Sequence, residues 1–214
     1  MLSIHLTSEY TLFCSLPPPA ELAKQQKLWA FGKAIEPLAD CAEVVIGMNN
    51  LTVFCRLNAD LAKVREQLFA LWETVQVADY QPRLIKIPVH YGGERGEDLY
   101  EVAKFHHTTP AEIIKRHTAP TYTVAMIGFQ AGFPYLFGLP EHLHTPRRAE
   151  PRLSVPAGSV GIGGSQTGIY PFASPGGWQI IGRTDLALFQ ADQSPPTLLQ
   201  AGDSVQFFAE SIEL

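Results

Sequence analysis

Ser159-Val160-Gly161-Ile162-Gly163-Gly164-Ser165-Gln166-Thr167-Gly168-Ile169-Tyr170 is small, polar and glycine-rich, and it lies between two strand-like runs. Its glycines do not follow a strand and open a helix, so the dinucleotide-binding reading of such a pattern fails. The neighbourhood is equally broken. Eleven of the 17 glycines and seven of the 17 prolines fall between Gly128 and Arg183, and from Thr121 onward only short strands and turns can be read. Such punctuation predicts a closed or strongly curved β structure with many tight turns.

Upstream the texture differs. Two short apolar runs, Met1 to Leu6 and Tyr10 to Leu16, predict a hairpin, and Pro17-Pro18-Pro19 leads into a helix carrying Leu28, Phe31, Ile35 and Leu38. Strands are expected again at Ala42 to Ile46 and Leu51 to Arg56, joined by Gly47-Met48-Asn49-Asn50, where Asn suits positive φ. A second helix carries the stripe Leu61, Val64, Leu68, Leu71, Trp72 and Val75. The order ββαββα predicts a two-layer α+β domain over residues 1–81, both helices on one face of the sheet. The change of texture at Asp79-Tyr80-Gln81-Pro82 sets the boundary with a mostly-β domain over residues 82–214. That second domain begins with a strand, Leu84 to His90. Two short helices follow, with capping-box starts at Asp98-Leu99-Tyr100-Glu101 and Thr109-Pro110-Ala111-Glu112.

Composition narrows the function. A net charge of −5 gives no global basic field for nucleic acid or an anionic membrane. No apolar run approaches the roughly 20 residues of a membrane span, and Met1 to Tyr10 lack a signal-peptide pattern, so a soluble cytoplasmic protein is expected. Cys14, Cys41 and Cys55 show neither CxxC nor CxxH spacing and are expected to be reduced, half-buried thiols. There is no Walker A sequence and no GxSxG elbow. Glu141-His142-Leu143-His144 reads as a surface loop rather than a metal site, and His106-His107 as residues serving the end of a helix.

Chemistry is therefore sought between Gly128 and Thr184. Gly128-Phe129-Gln130-Ala131-Gly132-Phe133-Pro134-Tyr135-Leu136 sets three aromatics among glycines. Arg147, Arg148 and Arg152 sit in a proline-stiffened loop, either as a solvated turn or as a fork for carboxylate or phosphate. Gln166 and nearby backbone N–H groups are able to face an amide or carboxylate. Trp178, in Ser174-Pro175-Gly176-Gly177-Trp178-Gln179, is either core or a ligand platform. His90 ends a strand at the glycine-rich turn Tyr91-Gly92-Gly93.

These runs, with Thr145-Pro146-Arg147-Arg148, Val155-Pro156-Ala157-Gly158 and Gln166-Thr167-Gly168-Ile169-Tyr170-Pro171, resemble the bacterial 5-oxoprolinase B-subunit family. The family also goes by allophanate hydrolase subunit 1 and the sporulation kinase A inhibitor KipI. The resemblance covers essentially the whole chain; one departure is Ala131, where proline is expected.

It implies a cyclophilin-like β-barrel behind the small α+β domain. It also implies two partners, one of the carboxyltransferase type (the 5-oxoprolinase C subunit) and one of the lactam-utilisation type (the 5-oxoprolinase A subunit). The complete enzyme would open 5-oxo-L-proline to L-glutamate, using ATP with Mg and no cofactor resident on this chain. In that setting Arg147, Arg148 and Arg152 are candidates for anionic groups, Gln166 and His90 for hydrogen bonds, and Phe129, Tyr135, Tyr170 and Trp178 for the walls of an amide site. Two rival roles remain open: inhibition of a sensor histidine kinase, and a place in an allophanate hydrolase or urea-metabolism complex.

Overall fold

A computed structural model describes residues 1–77 and 81–214. Asp79 and Tyr80, part of the change of texture in the sequence, lie outside the described residues. The chain divides into two compact units, Met1–Gln81 and Pro82–Leu214.

The first unit is a four-stranded antiparallel sheet with two helices. Strands β1 (Ser3–Ser8) and β2 (Thr11–Ser15) precede α1 (Leu22–Ile35), and β3 (Cys41–Gly47) and β4 (Asn50–Cys55) precede α2 (Leu61–Thr74). The spatial order is β1-β2-β4-β3. Period-two alternation sends Leu2, Ile4, Leu12, Cys14, Leu51 and Val53 to one face, where they share a core with Leu28, Phe31 and Ile35 of α1 and Val64, Leu68 and Trp72 of α2. Phe31 meets Trp72 edge-on, with ring centres 5.2 Å apart. The β3–β4 turn places Asn49 at φ +61°, as its asparagines suggested. Leu38, expected on the first helix, falls beyond its end and packs against the core from the following turn. The cysteines are free, and they are buried rather than half-buried. Burial pushes the Cys14 thiol up to about 12, which keeps it protonated and unreactive.

The second unit begins with β5 (Leu84–Gly92), α3 (Leu99–Phe105) and α4 (Pro110–Thr118). It continues through β6 (Tyr122–Ile127), β7 (Pro134–Phe137), β8 (Arg152–Val155), β9 (Ser159–Gly163), β10 (Gln166–Ile169), β11 (Ser174–Gly176), β12 (Gln179–Arg183) and β13 (Ser204–Glu213). Seven strands close into a barrel in the order β10-β7-β6-β13-β5-β12-β9, and β8 and β11 form a separate two-stranded ribbon. Closure leaves the barrel without free edges. Ile87, Val89, Val124, Ile162, Ile169 and Val205 share one core with Leu99, Val102, Ile113 and Ile114 of the two helices.

A buried polar chain ties α4 to the barrel. Thr167 Oγ1 donates to the Gly161 carbonyl at 2.9 Å, so it accepts from His117 Nε2 at 3.0 Å. His117 Nδ1 is then left to accept from the Tyr91 hydroxyl at 2.8 Å. Burial lowers the His117 pKa to about 3, so the ring is neutral and each of its nitrogens has one partner.

Of the two expected capping boxes one forms in half, its glutamate side chain turning to Arg116 instead of the N-cap N–H. Thr109 Oγ1 accepts from the Glu112 N–H at 3.2 Å. Asp98 stands at the start of α3 but makes no side-chain cap, because its carboxylate faces inward to other donors. The end of α3 is closed by His107 at φ +50°, with the Thr108 N–H reaching back to the Ala103 carbonyl. The His106 ring does not serve the helix end; it bonds to Thr145 Oγ1 at 3.0 Å.

Candidate functional site

Five aromatic side chains gather on the outside of the barrel where β7, β10 and β12 adjoin the ribbon. Phe133, Tyr170 and Trp178 are buried together with Val155 and Ile180, and Tyr135 packs against them. Ring centres lie 5.2 Å apart for Phe133 and Tyr170, 5.4 Å for Phe133 and Trp178, and 6.0 Å for Tyr135 and Trp178, all steeply inclined. Such edge-to-face contacts place positive ring edges on negative faces and fix the rings against one another.

Glycine makes this packing possible. A Cβ on Gly163 would stand 2.5 Å from the Trp178 ring, and one on Gly168 would stand 2.6 Å from the Pro134 carbonyl oxygen. The glycine-rich hairpin of β9 and β10 is thus the bed on which Trp178 lies.

The loop between β6 and β7 supplies the outermost ring. It closes on itself, Gly128 N–H to Phe133 O at 3.1 Å and Phe133 N–H to Gln130 O at 3.0 Å. Phe129 is held at φ +65°, unusual for a bulky residue, and the residue is 63% exposed. Such a conformation persists where the surrounding structure holds it, as the closed loop does here. Together these side chains, with Pro151, Pro175 and the Gly176-Gly177 backbone, line a cleft of about 270 Å³.

A cation stands at this cleft. The Arg147 guanidinium carbon lies 5.9 Å from the centre of the Trp178 ring. Arg147 is exposed, and no carboxylate pairs with it among the described residues. Burial pushes the Tyr135 and Tyr170 phenols above their ordinary range. The positive charge of Arg147 opposes that rise in both, and in Tyr170 a hydrogen bond from the Trp178 backbone does so too.

Arg148 and Arg152 are committed elsewhere. Both bond to Asp98, whose carboxylate is nearly inaccessible. Its oxygens accept from Arg148 Nη1 at 2.8 Å, from Arg152 Nη1 and Nη2 at 2.8 and 2.9 Å, and from the Ile180 N–H at 2.7 Å. Glu97 takes a further bond from Arg152 at 3.0 Å. Hydrogen bonding to Asp98 raises the Arg152 pKa further, so the guanidinium keeps its charge.

The backbone on each side of Arg147 is anchored as well. The Arg148 N–H donates to the Gly177 carbonyl at 2.7 Å, and Gln179 Nε2 to the Pro146 carbonyl at 3.0 Å. The clamped segment leaves the Arg147 guanidinium projecting.

The structure therefore brings Phe129, Tyr135, Arg147, Tyr170 and Trp178 of the expected residues into one cleft. Arg148 and Arg152 hold its supporting loop. Gln166 lies on β10, at the hairpin opposite Gly163, and does not line the cleft. His90 lies on β5, hydrogen-bonded to Ser211 Oγ at 2.7 Å and to Asp185 Oδ2 at 3.2 Å, with Arg95 on the same Asp185 carboxylate. Two residues are not evident from sequence. Phe133 belongs to the aromatic run of Gly128 to Leu136, but nothing there sets it apart as a wall of the site. Asp98 reads as a helix cap, and nothing local signals partners 50 and 54 residues away.

Residues 2–199 match the family described as carboxyltransferase domain, subdomain C and D. The chain is 62% identical over 207 residues to the 5-oxoprolinase B subunit of Haemophilus influenzae, covering 97% of each chain. The chain belongs to the 5-oxoprolinase B-subunit family. A relative from Escherichia coli O157:H7 with the same name is 47% identical over 204 residues, covering 95% of this chain and 94% of that one.

Among solved structures the fold is similar to that of TTHA0988, with a TM-score of 0.81 and 30% identity. That match covers 94% of this chain and 40% of the other, so this member of the B-subunit family spans about two fifths of TTHA0988. Among the described residues no helix is long and apolar enough to cross a membrane, and no cluster of His, Cys, Asp and Glu is arranged to hold a metal.

Proposed function

We propose that this chain is the B subunit of a cytoplasmic, ATP-dependent 5-oxoprolinase, and that its aromatic cleft holds the lactam. The observation that carries the reading is the position of Arg147, a cation free of carboxylate partners over the Trp178 ring at the mouth of an apolar cleft. 5-Oxo-L-proline is a flat five-membered ring with one carboxylate. Aromatic walls suit the ring, and a guanidinium suits the carboxylate. A cleft of about 270 Å³ stands at the small end of the roughly 300–1,000 Å³ range of ligand sites, which fits a ligand of this size.

The lactam is an unactivated amide and its ring recloses readily. Transfer of the ATP γ-phosphoryl group to the amide oxygen releases ADP and makes the ring carbon a better electrophile. Water adds there, the C–N bond breaks as the nitrogen takes a proton, and a second water releases phosphate from the resulting acyl phosphate to leave glutamate. In this scheme the present chain binds and orients the lactam.

ATP with Mg is a co-substrate, which we place on the partner subunits. Arg148 and Arg152, suited by type to phosphate, are already paired, Arg148 with Asp98 and Arg152 with Asp98 and Glu97. The partners we propose are the carboxyltransferase-type and lactam-utilisation-type subunits. Arg147→Ala in the reconstituted complex tests the role of the cleft. A rise in KM for 5-oxoproline with KM for ATP unchanged supports it, and wild-type constants for both overturn it.

A further inference from the structure

Cys41 and Cys55 face each other at one end of the β3–β4 pair. Cys41 opens β3, Cys55 closes β4, and the two are register partners. Their own hydrogen bonds point away from one another. The Cys55 N–H donates to Tyr10 O at 2.7 Å, on the β2 side, and the Cys41 N–H donates to Leu38 O at 3.0 Å. The ladder bond beside them runs from the Arg56 N–H to Asp40 O at 2.9 Å. A non-hydrogen-bonded antiparallel pair of this kind brings its Cα atoms to about 4.5 Å. A disulfide spans Cα separations of about 4.4–6.8 Å, so the backbone already stands in range. Both side chains lie on the core-facing side of the sheet.

Cys14 is placed differently. It lies opposite Leu51, four residues along β4 from Cys55. At about 3.4 Å per residue that offset exceeds the reach of a disulfide. Cys14 is 0% exposed, whereas Cys41 and Cys55 keep 7% and 4%. Strand β3 is outermost in its sheet, so a small solute approaches the pair from that edge.

The thiols differ in the same sense. Burial pushes all three up, Cys14 to about 12. At Cys55 the neighbours Cys41 and Asp40 add to the rise. At Cys41 Glu36 adds to it, but a hydrogen bond from the Glu43 backbone and the charge of Arg56 oppose it. Cys41 is thus the better placed of the pair to attack, and Cys55 to resolve.

We infer that Cys41 and Cys55 form a reversible disulfide site, closed by a hydroperoxide and opened by a dithiol, that staples β3 to β4. The Cys41 thiolate takes the terminal oxygen of the peroxide as the O–O bond breaks. The departing oxygen picks up the proton that the thiol had lost, and Cys41 becomes a sulfenic acid. The Cys55 sulfur then displaces that oxygen, which leaves as water with the Cys55 proton. Two sulfurs are oxidised to one S–S bond and one peroxide is reduced. A dithiol reverses the change by exchange. Closing the loop between the two strands restricts the unfolded chain and stabilises the first unit. None of this depends on the oxoprolinase reading.

Peptide mapping without reductant, after hydrogen peroxide treatment of the full-length chain, reads the site directly. The expected product links the Cys41 and Cys55 peptides and is lost on adding dithiothreitol, with Cys14 still open to alkylation after unfolding. Cys14→Ser is expected to form the same bond, and Cys55→Ser none. Oxidation is expected to raise the midpoint of thermal unfolding by several degrees in the wild type and not in Cys55→Ser. No linked pair, a pair that includes Cys14, or a linked chain that melts no higher overturns the inference. Should a variant fail to fold, mapping and melting of the wild type decide alone.

Discussion

Asp98 and Arg152 form a two-pronged ion pair, each carboxylate oxygen within 2.9 Å of a different guanidinium nitrogen. The carboxylate sits at the start of α3 and the guanidinium on β8, so one bond pair fixes the loop behind the cleft to the helix beneath it. Arg148 shares the same carboxylate, and Ile180 adds a backbone donor.

Removing the carboxylate leaves Arg148 without a carboxylate partner and the mostly buried Arg152 with Glu97 alone. Asp98→Ala is therefore expected to cost about 3 kcal/mol or more, in line with breaking a buried pair from one side. Arg148→Ala is expected to cost less, since that side chain is more exposed than Arg152. Urea unfolding of the wild type and both variants checks the order.

The glycine bed of Trp178 makes a sharper prediction. In Gly163→Ala the new methyl group meets the indole ring, which must move. Overpacking of this kind costs about 1–3 kcal/mol. A change in tryptophan fluorescence and in near-ultraviolet circular dichroism is expected, with loss of activity in the complex. An unchanged spectrum would show that the ring does not lie on that backbone.

Protonation of His117 couples folding to pH. Its folded pKa, about 3, lies below the ordinary value of 6.5 because burial disfavours the charged ring. Between those values the unfolded chain binds the extra proton. Stability is thus complete above about pH 6.5 and falls as the pH drops toward 3, by up to about 1.4 kcal/mol per pH unit. His117→Gln, which can still bond to Tyr91 and Thr167, is expected to flatten this part of the profile of unfolding midpoint against pH.

Both the first unit and the barrel were legible because their signals are local. The stripe of α2 and the alternation of β1, β2 and β4 specify buried faces directly, and the glycine density from Gly128 to Arg183 announced a tightly turning β structure. The site was half legible. Aromatic residues among glycines pointed to Phe129, Tyr135, Tyr170 and Trp178, but residue type alone cannot tell a free arginine from a committed one. Arg147, Arg148 and Arg152 look alike in sequence, and only the placement of Asp98 beneath two of them separates the roles. His90 lies outside the cleft, and for a similar reason this could not be read locally: its neighbours, Ser211 and Asp185, come from distant parts of the chain.

Arg147 should behave unlike its neighbours. Arg147→Ala is expected to leave stability within about 0.5 kcal/mol, as for surface changes away from packed features. The same change should lower kcat/KM of the complex for 5-oxoproline by about tenfold to a hundredfold, in the range for losing a charged hydrogen bond. Arg147→Lys should recover part of the loss, since it keeps the charge without the planar fork. Thermal melting beside steady-state kinetics reads both halves.

The most direct measurement is ATP-dependent release of glutamate from 5-oxoproline by the reconstituted complex, with each component omitted in turn. The account predicts that omitting this chain abolishes release and that adding it back restores it. Full release in its absence would contradict the account.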